Sequence, residues 1–234
     1  MAANDFSAET PANAEEKTIC CFVVDVSGSM SGNPISSLNK GLQDFHAAIG
    51  NDSMLANCLE VAIVEFGSTA ETVLSPALVD DFSMPTLTTK GTTALVDGVR
   101  DAMTLVEDRK NWYKSTGQTY KRPWVILITD GEPDRNQDIG ALEKEIETVT
   151  KNRGLMFLSL GVVGANMNIL SKIAGYTEDA NKNWKKMPPM KLQGLKFADF
   201  FEWVSASMSV VASSTDGAQA SLPDPSSWME GFTV

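Results

Sequence analysis

The chain has 234 residues, 43% hydrophobic and 8% aromatic, which at roughly 150 residues per domain amounts to one unit with tails and a sizeable core; a chain disordered throughout is excluded. Nineteen Lys and Arg stand against thirty Asp and Glu, a net charge of −11, and such a field repels phosphate backbones and anionic lipid heads, so neither nucleic acid nor a membrane surface is an expected partner. Apolar runs such as Val125-Ile126-Leu127-Ile128 fall far short of the ~20 residues that span a bilayer.

Residues 1–17 are rich in Ala, Asn, Glu and Ser without periodicity and read as a flexible acidic tail. Asp5, Glu9, Glu15 and Glu16 come before any basic residue, the reverse of the positive start of an export signal, so none is expected. Ile19-Cys20-Cys21-Phe22-Val23-Val24 is wholly apolar and predicts a strand buried on both faces of a parallel sheet. The odd count of three cysteines, Cys20, Cys21 and Cys58, lacks any C-x-x-C spacing. They read as small buried hydrophobes in a reducing cytoplasm, and with His46 as the only histidine they do not suggest zinc.

Asn33 before Pro34 predicts a helix start, and Ile35, Leu38, Leu42, Phe45 and Ile49 then form a core-facing stripe. Leu59 to Phe66 predicts a second strand and Thr72 to Leu74 a short third. Leu95, Val99, Ala102, Met103 and Val106 mark a helix opening near Thr93. Trp124 to Thr129 and Leu155 to Val163 are further strands. Leu142, Ile146 and Val149 mark one helix between them, and Ile169 to Ala174 a short one after them. Phe197, Phe200, Phe201, Val204, Met208 and Val211 give a strongly apolar last helix. Residues 213–234, with scattered Trp228 and Phe232, are too sparse for a core element and read as a C-terminal tail able to dock locally. Strands alternating with helices imply an α/β fold with a mostly parallel central sheet and helices on both faces.

Asp25-Val26-Ser27-Gly28-Ser29 follows a buried strand, where doubly wound sheets place their sites. In a continued strand these residues would spread over ~13 Å; a turn at Gly28 lets one carboxylate and two hydroxyls converge, and convergent hard oxygens suggest a hard cation. Gly91-Thr92-Thr93-Ala94-Leu95 adds hydroxyls at a helix start, and Ile128-Thr129-Asp130-Gly131 adds a second carboxylate at another strand end. The plainer alternative is that Asp25 and Ser27 only cap and turn the backbone.

The ordered triple D-x-S-x-S, G-T-T-A-L and L-I-T-D-G-E-P resembles the metal-ion-dependent adhesion site (MIDAS) of the von Willebrand factor type A (vWA) domain, over residues 18–212. The resemblance implies a Rossmann-like fold and a divalent ion held by Asp25, Ser27, Ser29, Thr93 and Asp130, directly or through water. Thr93 is preferred to Thr92 because it precedes Ala-Leu and lies six residues before Val99. All-oxygen ligands point to Mg²⁺, with Mn²⁺ or Ca²⁺ as alternatives, and an open coordination position would accept an Asp or Glu carboxylate from a protein partner.

The C-terminal run from Met187-Pro188-Pro189 through Phe200-Phe201-Glu202-Trp203-Val204-Ser205 to Met208 resembles the TerY-type subgroup. That resemblance implies a place in bacterial tellurite-resistance, stress-response or defence gene clusters, with a kinase and a phosphatase as neighbours. The expected function is therefore a non-enzymatic, metal-dependent interaction module. Two alternatives are a metal-assisted phosphoryl-transfer hydrolase, against which Ser27 stands where a second Asp is usual, and a vWA subunit of an ATPase or chelatase-like complex, whose nucleotide would belong to a partner because the chain lacks a P-loop motif. Lys182, Lys185, Lys186, Lys191 and Lys196 form a basic stretch without an acidic residue from Asn181 to Ala198, either a solvated face or a dock.

Overall fold

The computed structural model describes residues 4–179, 181–215 and 221–230. Among these residues eight strands and six α-helices follow one another as β1 (Thr18–Asp25), α1 (Asn33–Asn51), α2 (Ser53–Cys58), β2 (Leu59–Phe66), β3 (Ala70–Ala77), α3 (Leu95–Thr116), β4 (Trp124–Thr129), α4 (Ile139–Lys151), β5 (Met156–Gly161), α5 (Met167–Lys172), β6 (Tyr176–Glu178), β7 (Trp184–Lys186), β8 (Met190–Lys191) and α6 (Phe197–Ser213). Six strands form one sheet in the order β3-β2-β1-β4-β5-β8, and β6 pairs with β7 in a separate hairpin.

The sheet is parallel except for β3, which runs antiparallel to β2 with register shifts between Val61 and Val64. Periodicity predicted only Thr72 to Leu74 of β3, because this edge strand is half exposed and carries Pro76. β1 and β2 are buried at every position, as their unbroken apolar runs require for central strands covered on both faces. Alternate residues feed two cores. Phe22, Val24, Ile126 and Ile128 meet α1 and α6, whereas Ile19, Cys21, Val23 and Leu127 meet α3, α4 and α5.

On the first face Phe22 packs edge-on against Phe45 of α1 and Phe201 of α6, with ring centroids 5.4 and 5.3 Å apart. α1 and α6 touch closely: a Cβ on Gly41 would lie 2.6 Å from Phe201 Cδ2. The cap of α1 is Gly32, one residue before the expected Asn33. The six-residue α2, not anticipated, is capped by Asp52, whose carboxylate accepts from the Met54 and Leu55 amides.

Neither terminal segment is a free tail over its described part. Phe6 is buried in the α3-side core, Asn4 donates to Asp108, and Glu9 pairs with Arg109. One aromatic anchor, ion pairs from Glu9 and Glu16 and several hydrogen bonds hold this polar segment, too little apolar content to register in a compositional reading. At the other end Trp228 is fully buried against Phe200 and Trp203, Trp203 Nε1 donates to the Pro223 carbonyl at 2.8 Å, and Met229 bridges to Leu192. Phe232 lies outside the described residues. Among the described residues no helix is long and apolar enough to cross a membrane.

Candidate functional site

β1 and β4 are parallel neighbours with Val24 opposite Ile128, so Asp25 and Thr129 end side by side at one edge of the sheet. Asp25 is fully buried. Its Oδ1 accepts from the Ser27 amide at 2.8 Å and its Oδ2 from the Thr129 hydroxyl at 2.5 Å. The chain then closes a tight helical turn over Gly28–Met30, with the Met30 amide on the Ser27 carbonyl and the Ser31 amide on the Gly28 carbonyl. Gly28 keeps a negative φ there, so the turn does not depend on the freedom of glycine. Ser27 Oγ lies 3.0 Å from Ser29 Oγ, and Ser29 Oγ donates to Asp130 Oδ1 at 2.7 Å.

The second loop is bolted to the first. The Lys90 amide donates to the Val26 carbonyl, the Gly28 amide to the Gly91 carbonyl, and the Ala94 amide to the Gly67 carbonyl. Gly91 has φ +74°, and a Cβ there would stand 2.2 Å from Ser68 Oγ, so only glycine fits. The two threonines divide their work. Thr92 Oγ1 donates to Asp134 Oδ2 at 2.7 Å, whereas Thr93 is held through its backbone by Asp134 and its hydroxyl carries no hydrogen bond among the described residues.

Gly131 shows what these restraints achieve. A Cβ built there would sit 3.4 Å from Asp25 Oδ2, 3.5 Å from Thr93 Oγ1 and 3.7 Å from Ser29 Oγ. Oxygens from the first and second loops thus meet at one point beside the third loop that no side chain fills. Burial pushes the Asp25 carboxyl above its ordinary range, opposed by hydrogen bonds from Ser27 and Thr129, and the nearby Asp130 charge adds to the rise. Burial also raises Asp130, opposed by the Ser29 hydroxyl. Two buried carboxylates with no opposite charge beside them among the described residues favour a cation between them.

Two carboxylates and three hydroxyls, with no nitrogen or sulfur, are a donor set that fits a hard divalent ion. Among the described residues no group of three or more His, Cys, Asp or Glu is placed to hold a metal, so any such centre needs the hydroxyls.

Asp25, Ser27, Ser29, Thr93 and Asp130 are thus brought to one edge of the sheet. Sequence reasoning passed over Thr129, Gly131 and Asp134, whose roles depend on which loop lies beside which. The basic stretch is largely neutralised: Lys185 pairs with Asp179, Lys186 with Glu143 and Lys191 with Glu230, while Lys196 donates to the Ser227 carbonyl. His46 Nε2 lies 3.2 Å from the Val79 and Phe82 carbonyls, a structural contact. The three cysteines are free and buried.

The family model for the von Willebrand factor type A domain matches residues 20–132, the stretch from β1 through β4 that carries all three loops. The chain has the vWA fold. Solved structures agree on the fold. The pilus adhesin SpaC from Lactobacillus rhamnosus GG superposes with a TM-score of 0.61 at 15% identity, over 84% of this chain and 31% of that one. The PilB minor pilin from Streptococcus sanguinis gives 0.57 at 13% identity, over 85% and 62%. A von Willebrand factor type A protein from Catenulispora acidiphila gives 0.55 at 17% identity, over 82% and 42%. This chain spans less than two thirds of each of these proteins, and at such identities the likeness concerns the vWA fold alone. No curated protein matches the chain.

Proposed function

We propose that this vWA domain is a non-enzymatic, divalent-metal-dependent protein-interaction module of the MIDAS kind. Asp25, Ser27, Ser29, Thr93 and Asp130 hold Mg²⁺, directly or through water, and Mn²⁺ or Ca²⁺ can replace it. One observation carries the reading: Asp25 Oδ2, Thr93 Oγ1 and Ser29 Oγ converge on the empty side-chain position of Gly131. When bound, the ion supplies an electrophilic position for an Asp or Glu carboxylate of a partner protein.

The chain's own residues prepare that position. Thr129 and the Ser27 amide fix the orientation of Asp25, the Ser29 hydroxyl fixes Asp130, and Asp134 fixes the backbone of Thr93. Ser29 is exposed while Asp25 and Ser27 are buried, an arrangement that leaves access from one side.

The Pro-Pro and aromatic pattern from Met187 to Met208 supports placing the chain in the TerY-type subgroup, in a bacterial tellurite-resistance, stress-response or defence system with a kinase and a phosphatase as partners. Three free, buried cysteines support a cytoplasmic setting.

Calorimetric titration of Mg²⁺ and Mn²⁺ into wild type and Asp25→Ala tests the metal, and partner capture with and without EDTA tests its purpose. Wild type binds and the variant does not; equal binding by the two removes the metal site, and partners retained in EDTA remove the metal-dependent dock.

A further inference from the structure

At the end of the sheet opposite Asp25, seven residues down β1 or roughly 23 Å away, a cavity of about 410 Å³ opens between residues 9–12, the end of β3 and α3. That volume lies within the range of small-molecule sites, roughly 300–1,000 Å³. One side is apolar, formed by Pro76, Leu78, Phe82 and Trp112. The floor is charged and buried: Arg109, Glu60 and Lys17 are 4%, 3% and 2% exposed.

The charges on that floor are unevenly satisfied. Arg109 engages Glu60 side-on, Nε to Oε2 at 2.8 Å and Nη2 to Oε1 at 2.7 Å, and Tyr113 donates to the same carboxylate at 2.6 Å. Arg109 Nη1 donates to Glu9 at 2.5 Å. These bonds use three of the five N–H donors of a guanidinium; the other two have no protein acceptor among the described residues. Lys17 Nζ is bonded to the Asn13 amide oxygen and, at 3.0 Å each, to the Glu15 and Asn57 carbonyls, with no carboxylate in ion-pair reach among the described residues.

Glu9 is unlike the other partners, because its side chain is 46% exposed and it sits on a segment outside helix and strand. It occupies with one oxygen a face of Arg109 that a carboxylate can grip with two. Asp81, which also lines the cavity, disfavours a multiply charged anion.

We propose that this cavity binds a small amphipathic monocarboxylate. Its head takes the end-on N–H pair of Arg109 in place of Glu9, and its apolar body lies along Trp112, Pro76 and Phe82. Glu9 is then an internal stand-in for the ligand, and the site is independent of the metal reading.

The test uses the full chain with octanoate and, as an uncharged probe of equal length, octan-1-ol. Affinity is read by calorimetry, and location by the NMR resonance of the Trp112 indole N–H. Octanoate binds at least about tenfold more tightly than octanol and shifts Trp112. Glu9→Gln, which removes the competing charge, binds octanoate about fivefold more tightly than wild type. Ala77→Trp, which fills the cavity and leaves the Arg109–Glu60 pair in place, abolishes binding. Equal affinity for octanol, binding that leaves Trp112 unmoved, unchanged affinity in a folded Ala77→Trp, or no octanoate binding to either wild type or Glu9→Gln each overturns the proposal. Should Ala77→Trp not fold, the half-exposed Glu9→Gln decides alone.

Discussion

The Thr129 hydroxyl donates to the buried Asp25 carboxylate at 2.5 Å, joining the ends of two adjacent parallel strands across 104 residues of sequence. That bond keeps one Asp25 oxygen turned toward Gly131 instead of toward the strand backbone. Thr129→Val preserves shape and removes the donor. Because groups that orient a ligand commonly matter 10–100-fold to metal affinity, the variant should bind Mn²⁺ about tenfold or more weakly in calorimetry at a temperature where it remains fully folded. Unchanged affinity would show that Asp25 needs no support.

Gly131→Ala tests the cradle directly. The new methyl group meets Asp25, Thr93 and Ser29 at 3.4–3.7 Å, ordinary contact distances, so the domain should fold with a near wild-type urea midpoint. The methyl nevertheless stands where the oxygens converge, and Mn²⁺ binding should be lost. A variant that binds as wild type does would place the ion elsewhere.

Both site carboxyls are raised above the ordinary Asp value of 3.8 by burial. A raised carboxyl binds its proton more tightly in the folded state than in the unfolded one. Stability therefore rises as pH falls from neutrality through the folded value, and the gain is complete near 3.8. Carboxylates held low, such as Asp52 and Asp179, lose stability only at lower pH. As pH falls from neutrality toward 3.8 the metal-free protein should gain resistance to urea, and Asp25→Asn should gain less. Identical slopes for the two would contradict the argument.

Gly41 of α1 lies directly against Phe201 and Phe197 of α6. Gly41→Leu drives a side chain into Phe201, 2.6 Å from the Cβ position, and overpacking of this kind costs about 1–3 kcal/mol. Urea unfolding should show that loss with an unchanged slope, and a midpoint equal to wild type would mean that α6 yields freely.

Burial pushes the Cys21 thiol up to about 12 and Cys20 well above its ordinary range. A thiol reagent at pH 8 should label no cysteine in the native protein and three after denaturation. Rapid native labelling would reveal opening of the sheet core.

Strands buried on both faces announce themselves, which is why β1, β2, β4 and β5 were legible within a residue or two. β6, β7 and β8 span only two or three residues each, too short for any period, and the antiparallel sense of β3 leaves no trace in its pattern. At the site, the donor-bearing loops could be read because Asp, Ser and Thr stood at strand and helix ends. Thr129 and Gly131 could not, since a hydroxyl one residue before Asp130 gains meaning only when β4 lies beside β1. The docking of residues 4–17 combines a single buried aromatic, Phe6, with polar contacts such as those of Asn4, Glu9 and Glu16, which composition alone averages away.

The outer strands carry a consequence for association. β3 is bulged and interrupted by Pro76, while β8 has two residues, one of them Lys191, and Met229 covers its continuation. Neither border offers another chain a long row of vacant amides and carbonyls. Growth of the main sheet from molecule to molecule is thereby disfavoured.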